Sequence, residues 1–281
     1  MPWWAPILLT IGLLGLMLIL QLVTVTAVTI GEIMLLGRDP DSTTLSPLML
    51  LAVNLSLALT GVIAAVLTRI VAKVPLRTLL AAPHRPSAGR LGTCLTIFTL
   101  LVLAALGISE LLAPQPQSIS GVALTGTTIG LLAVALLTTP LQAAGEELLF
   151  RGTIMPAISS WVRPVRPALV LGVAVSTVLF GISHASIDPW LLAYYTVFGL
   201  SMAVMAIISK GLEAPIAFHV ANNVVMMAIG SVFNDGAELT LDRSVGMGGP
   251  FMLTFIALDL LAVGVVWLIE RRRNVSSLNA E

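Results

Sequence analysis

Charge is scarce in this chain. Asp, Glu, Lys and Arg make up 10% of it, against about 25% in an average soluble domain. So few charged side chains cannot cover a water-soluble surface of this size. Cysteine is nearly absent as well. Cys94 is alone and lies in an apolar run, which excludes an intramolecular disulfide and reads as a small buried hydrophobe. The formal net charge is zero, so the chain has no long-range field to steer nucleic acid, and no nucleic-acid partner is expected. Histidine is rare, with 3 in 281 residues, and that scarcity makes the position of each one informative.

What is present in excess is apolar length. Hydrophobic residues are 57% of the sequence and the mean hydropathy is +1.02. The apolar runs are continuous and do not alternate with polar residues, as the strands of a membrane barrel would, so they must satisfy their backbone groups as helices in lipid. Eight segments long enough to span fall at about 5–35, 47–69, 91–113, 124–149, 168–184, 190–208, 214–232 and 250–269. Ser46-Pro47 starts the second; Pro114 and Pro116 separate the third from the fourth; Pro164 and Pro167 precede the fifth; Asp188-Pro189 parts the fifth from the sixth. A glycine-rich loop, 244–249, precedes the eighth. The expected fold is all-α, a polytopic transmembrane bundle of about eight helices. It divides into three N-terminal helices (1–120), a core that carries the chemistry (121–235), and a last helix with a basic tail (236–281).

The first apolar run lacks a basic leader and a convincing cleavage site, so it is expected to stay as the first span, with Trp3 and Trp4 at the interface. Placing the N-terminus inside leaves only Arg38 and Arg243, of 14 Lys and Arg, in outer loops. That bias predicts both termini in the cytoplasm of a multi-pass protein of the plasma (inner) membrane. The loop 69–90 is basic and cytoplasmic in this arrangement, and His84 within it reads as an ordinary surface histidine.

Ionisable groups at membrane depth are functional candidates, because burying them costs several kcal/mol unless they find a partner. Three clusters stand out. In Leu141–Gly152 (LQAAGEELLFRG), Glu147 and Arg151 are four residues apart and share a helix face. Glu146 is turned about 100° away, so the two carboxylates are not expected to face one cavity squarely. In Phe180–His184 (FGISH), Phe180 and His184 share a face. In His219–Asn223 (HVANN), His219 and Asn223 point the same way, and both can donate to a developing oxyanion; Asn222 reads as helix–helix hydrogen bonding. A carboxylate, two imidazoles and an amide meet the needs of water-driven amide hydrolysis. Two His and one Glu are also a common zinc set, although no HExxH is present.

Taken in order, these three clusters resemble the EExxxR, FxxxH and HxxxN motifs of the CPBP intramembrane metalloproteases, which include the CAAX prenyl endopeptidases and the Abi, bacteriocin self-immunity proteins. The resemblance covers roughly residues 124–232. It implies an intramembrane endopeptidase in which Glu146 is the base that activates water, assisted by His184, while His219 and Asn223 stabilise the oxyanion. Glu147, Arg151 and Phe180 support them. It also implies a divalent metal, zinc foremost, on Glu146, His184 and His219, and a peptide or protein substrate, membrane-bound or secreted, that need not be prenylated.

Two other readings compete. A non-catalytic membrane scaffold or immunity protein on the same fold would use the polar groups as helix glue. A proton-coupled carrier would use them as a relay, but no inverted repeat supports it. Depth also imposes a condition, because a straight fifth helix would carry His184 to the outer face. The expected solution is that 152–171 lies along the inner interface and the chain enters the membrane near Gly172.

Overall fold

The computed structural model describes residues 3–112, 121–233, 239 and 243–278, with side chains to 273. It is a helical bundle: α1 Ala5–Leu36, α2 Pro47–Ala72, α3 Leu76–Leu80, α4 Ala88–Leu112, α5 Gly126–Leu149, a π turn Phe150–Ile154, α6 Met155–Ser159, α7 Val165–Ser183, α8 Pro189–Ser209, α9 Glu213–Val232 and α10 Met252–Leu278. Eight helical runs among the described residues are long and apolar enough to cross a membrane, in line with the eight sequence segments. The Pro114/Pro116 break lies outside the described residues. Trp161 donates its indole N–H to the Trp3 carbonyl at 2.7 Å, tying the start of α1 to the α6–α7 turn.

The interfacial segment expected over 152–171 is not formed. α5 runs on through the π turn and α6 to Ser159, and α7 begins at Val165. Two prolines account for this. Pro156 has no N–H for the Gly152 carbonyl, and its ring would crowd that carbonyl in an ordinary α turn. The wider turn, in which Met155 N–H reaches the Phe150 carbonyl, accommodates it without breaking the helix. Pro167 falls in the first turn of α7, where backbone N–H groups have no helical acceptor in any case. α6 then folds back on α7. A Cβ added at Gly172 would lie 2.6 Å from the Met155 carbonyl oxygen.

The tightest crossing is between α2 and α5. A Cβ on Gly61 would fall 2.3 Å from the Gly145 Cα, and one on Gly145 would fall 2.6 Å from the Leu57 carbonyl. Small residues allow such backbone contact in lipid, and side chains reinforce it. Asn54 Nδ2 donates to Thr138 at 2.9 Å and to Thr139 at 3.0 Å, and Thr68 bonds Thr153 at 2.9 Å. Gly145 immediately precedes Glu146, so this crossing sets where that carboxylate stands. Gly61→Ala is expected to cost about 1–3 kcal/mol by overpacking, read as a lower melting temperature in detergent. An unchanged melt would mean that the crossing is loose.

The loop between α2 and α4 is more than a charged connection. Leu212 N–H donates to the Leu80 carbonyl at 2.7 Å, and Ala82 N–H to the Lys210 carbonyl at 3.1 Å, so the loop is strapped to the α8–α9 turn. His84, expected on the open surface, takes part. Its Nε2 is 3.0 Å from the Ser209 carbonyl and its Nδ1 is 3.8 Å from Glu213. Arg90 bonds the Ser209 carbonyl at 3.1 Å and Glu270 at 2.8 Å. No local pattern announces this, because the partners lie more than a hundred residues away.

Candidate active site

α5 and α9 bring the first and third clusters together. Glu147 and Arg151 pair as their spacing predicts, with Nη1 at 3.0 Å from Oε1 and both side chains fully buried. Arg151 reaches further. Its Nη2 donates to the Gly199 carbonyl of α8 at 2.8 Å, and its guanidinium carbon lies 4.4 Å from the centre of the Phe180 ring. One charge thus binds α5, α7 and α8.

His219 stands in the second turn of α9 and is 2% exposed. Its Nδ1 is 2.9 Å from Glu147 Oε1. A carboxylate only accepts, so Nδ1 carries the hydrogen and donates. Nε2 is thereby turned toward Glu146, with Oε2 at 3.6 Å. The two adjacent glutamates, not expected to face one cavity squarely, approach one ring from different sides. The imidazole has a nitrogen on each side of its ring, and each carboxylate meets one of them. Phe198 and Phe180 flank the ring edge-on at 5.0 Å and 6.1 Å.

Glu146 is 8% exposed. Its Oε1 accepts from Gln142 Nε2 at 2.7 Å, while Oε2 has no hydrogen-bond partner among the described residues. Asn223 Nδ2 donates to Gln142 Oε1 at 3.2 Å, so the amide faces the same group of side chains as Glu146 and keeps a second N–H.

His184 stands apart. It caps the C-terminus of α7, and its Nδ1 bonds the Phe180 carbonyl at 2.8 Å. Its ring stacks on Tyr195 at 4.0 Å and contacts Phe180 at 4.7 Å. Phe180 thus contacts both imidazoles, His184 at 4.7 Å and His219 at 6.1 Å between ring centres. Arg243 holds the turn from above: its Nη1 donates to the His184 carbonyl at 2.7 Å and its carbonyl accepts from Ser186 at 2.9 Å. Among the described residues no three His, Cys, Asp or Glu side chains are grouped to hold one metal ion. Glu146 and His219 are neighbours and His184 is not, so the three-ligand zinc set does not fit this arrangement, and no chemical step is routed through a metal below.

Sequence reasoning passed over Gln142, Tyr194, Tyr195 and Asp259. Gln142 was readable, being an amide one helical turn before Glu146 and so on its face. Asp259 was readable too, as a lone carboxylate in an apolar span; it is fully buried with both oxygens unpartnered among the described residues. The two tyrosines gave no pattern of their own.

The fold and the buried groups together define a multi-pass membrane protein with a carboxylate–imidazole centre inside its helices. Residues 125–225 match the family described as type II CAAX prenyl endopeptidase, Rce1-like, so that stretch is similar to this family, and the three motifs that carry the resemblance lie within it. The match includes every one of Gln142, Glu146, Glu147, Arg151, Phe180, His184, His219 and Asn223. The chain is also similar to the uncharacterized protein YyaK of Bacillus subtilis (strain 168), with 26% identity over 221 residues, 73% of this chain and 71% of that protein. No solved structure matches it.

Proposed function

We propose that the chain is an intramembrane endopeptidase of the CAAX type, in which Glu146 activates water for attack on a peptide carbonyl. The observation that carries this reading is the unpartnered Glu146 Oε2 facing His219 Nε2 at 3.6 Å. A water between these two atoms would be oriented by both. Glu146 takes one proton of that water, and the remaining hydroxide oxygen bonds to the carbonyl carbon. The tetrahedral oxygen is stabilised by the Asn223 N–H that Gln142 leaves free, which little water can weaken at this depth, while His219 Nε2, which carries no hydrogen in this tautomer, accepts from the attacking water. Breaking the C–N bond then returns the proton from Glu146 to the leaving amine, so atoms and charge balance.

Glu147 fixes the tautomer and orientation of His219, and Arg151 neutralises Glu147. His184 keeps the supporting share in water activation that the resemblance implies. A cavity of about 390 Å³ adjoins the π turn and is walled in part by Arg151, Gly152, Thr153, Leu79 and Lys210. It supports approach of substrate from the side of the strapped loop, which the charge bias makes cytoplasmic in a plasma-membrane protein.

The test uses purified protein in proteoliposomes with two probes, a farnesylated Cys-aliphatic-aliphatic-X peptide and an unlipidated membrane-spanning peptide, and reads products by mass spectrometry. Cleavage of either probe by wild type and loss of cleavage in His219→Gln and His184→Ala is the expected result. Cleavage of both probes by His219→Gln at the wild-type rate would overturn the proposal. Wild-type cleavage of only the unlipidated probe would show that a prenyl group is not required.

A further inference from the structure

Glu146 ends a row of hydrogen bonds that begins on a different helix. Tyr194 of α8 donates its hydroxyl to Asn222 Oδ1 at 3.4 Å, the longest link. Asn222 Nδ2 donates to Asn223 Oδ1 at 3.0 Å. Asn223 Nδ2 donates to Gln142 Oε1 at 3.2 Å, and Gln142 Nε2 to Glu146 Oε1 at 2.7 Å. The carboxylate at the end sets the polarity of the whole row. It accepts only, so Gln142 must present its NH2 group to it and its oxygen to Asn223. The same logic passes to Asn223, to Asn222 and to the tyrosine hydroxyl. Turning over Gln142 or Asn223 would set like ends against each other at both its junctions, and turning over Asn222 would do so at Asn223, the tyrosine hydroxyl being able to accept as well as donate.

We propose that Gln142, Asn222 and Tyr194 are positioning residues for Glu146, acting as one directed relay whose dipoles all donate toward its carboxylate. This rests on the reading of Glu146 as the base. Dipoles aligned in a chain strengthen one another where the dielectric is low. Gln142 and Asn222 are each 6% exposed, so water does not readily replace a lost link. The row is anchored at Oε1 alone. Holding Oε1 leaves Oε2 as the oxygen turned to His219, which is the geometry that proton transfer needs. Asn223 is oriented by the same row, with one N–H committed to Gln142 and the other left for an oxyanion. Asn222, read from the sequence as helix–helix glue, therefore also links α8 to the reacting carboxylate two side chains away.

Isotope-edited infrared spectroscopy of the purified full chain, labelled at glutamate, isolates Glu146 as the difference between wild type and Glu146→Gln. The same difference is then taken in an Asn222→Leu background and in a Tyr194→Phe background. The expected result is a shift of the Glu146 carboxylate band in Asn222→Leu, although Asn222 does not touch Glu146, and a smaller shift in the same direction in Tyr194→Phe. In turnover of a cleaved probe peptide, Asn222→Leu and Gln142→Met each lower kcat by about two- to tenfold, the range of one lost hydrogen bond, with KM unchanged. The double variant is no worse than Gln142→Met, because the row is already cut. A Glu146 band unmoved in both backgrounds, or losses that multiply in the double variant, overturns the relay. Should Asn222→Leu melt before it can be measured, Tyr194→Phe, which removes a single hydroxyl, decides by the band alone. Wild-type cleavage by Glu146→Gln would instead sink the reading of Glu146 as the base, and the band shift would still decide the relay.

Discussion

Glu146→Gln is expected to reduce kcat by about 10²- to 10⁴-fold, the usual contribution of a positioned general base, while leaving the protein as stable as wild type or more so. The two halves of this result have separate causes. Glutamine has the shape of glutamate and keeps an oxygen to accept from Gln142, so the 2.7 Å link survives. What is lost is the basic Oε2, which has no hydrogen-bond partner among the described residues. An unpartnered buried carboxylate oxygen does little for stability, and its removal relieves a desolvation cost. A peptide-cleavage assay and a thermal melt on the same preparation check both halves. Full activity in the variant would remove Glu146 from the chemistry. Lost activity together with a collapsed melt would show that the group is structural.

Arg151→Met should give the largest loss of stability, about 3–5 kcal/mol, because removing one partner of a buried ion pair strands the other. Glu147 is 0% exposed and would keep His219 Nδ1 as its one close side-chain donor among the described residues. The Gly199 carbonyl would lose its 2.8 Å donor and Phe180 the cation over its face. Methionine fills much of the same volume, so the loss is electrostatic rather than a cavity. Pairing it with Glu147→Gln should recover most of the stability, since two neutral side chains replace the pair. Unfolding in a denaturing detergent series, followed by helical circular dichroism, measures both variants. A double variant no more stable than Arg151→Met would show that Arg151 acts through α8 and Phe180 rather than through Glu147.

The two predictions differ because neighbouring glutamates do different work. The Glu147–Arg151 pair was legible as an i,i+4 spacing on a helix. The roles of the neighbouring carboxylates were not, because a helical wheel separates them by about 100° and says nothing of a third group long enough to span the gap. Once α9 packs beside α5, the two nitrogens of His219 meet both. The path from α5 to α7 was likewise not legible: 152–171 was expected along the interface with entry near Gly172, but α5 continues through a π turn ahead of Pro156, and Pro167 falls in the first turn of α7, where neither stops a helix. Phe180 and His184 were found as a pair. That Phe180 would also meet His219 depended on how α7 packs beside α9 and α8, which no local pattern encodes.

By itself, the sequence determined that this chain folds in lipid, that it does so as about eight helices, and which few ionisable side chains it carries there. Those properties are local or compositional: apolar length, scarcity of charge and spacing along a helix. Only the tertiary structure decided that His219 bridges Glu146 and Glu147, that His184 stacks on Tyr195, and that Gln142, Asn222 and Tyr194 stand in line with Glu146. Those are distances between helices far apart in the chain, set by close-packed contacts such as Gly61 on Gly145, and packing of that kind emerges only when all the helices are in place.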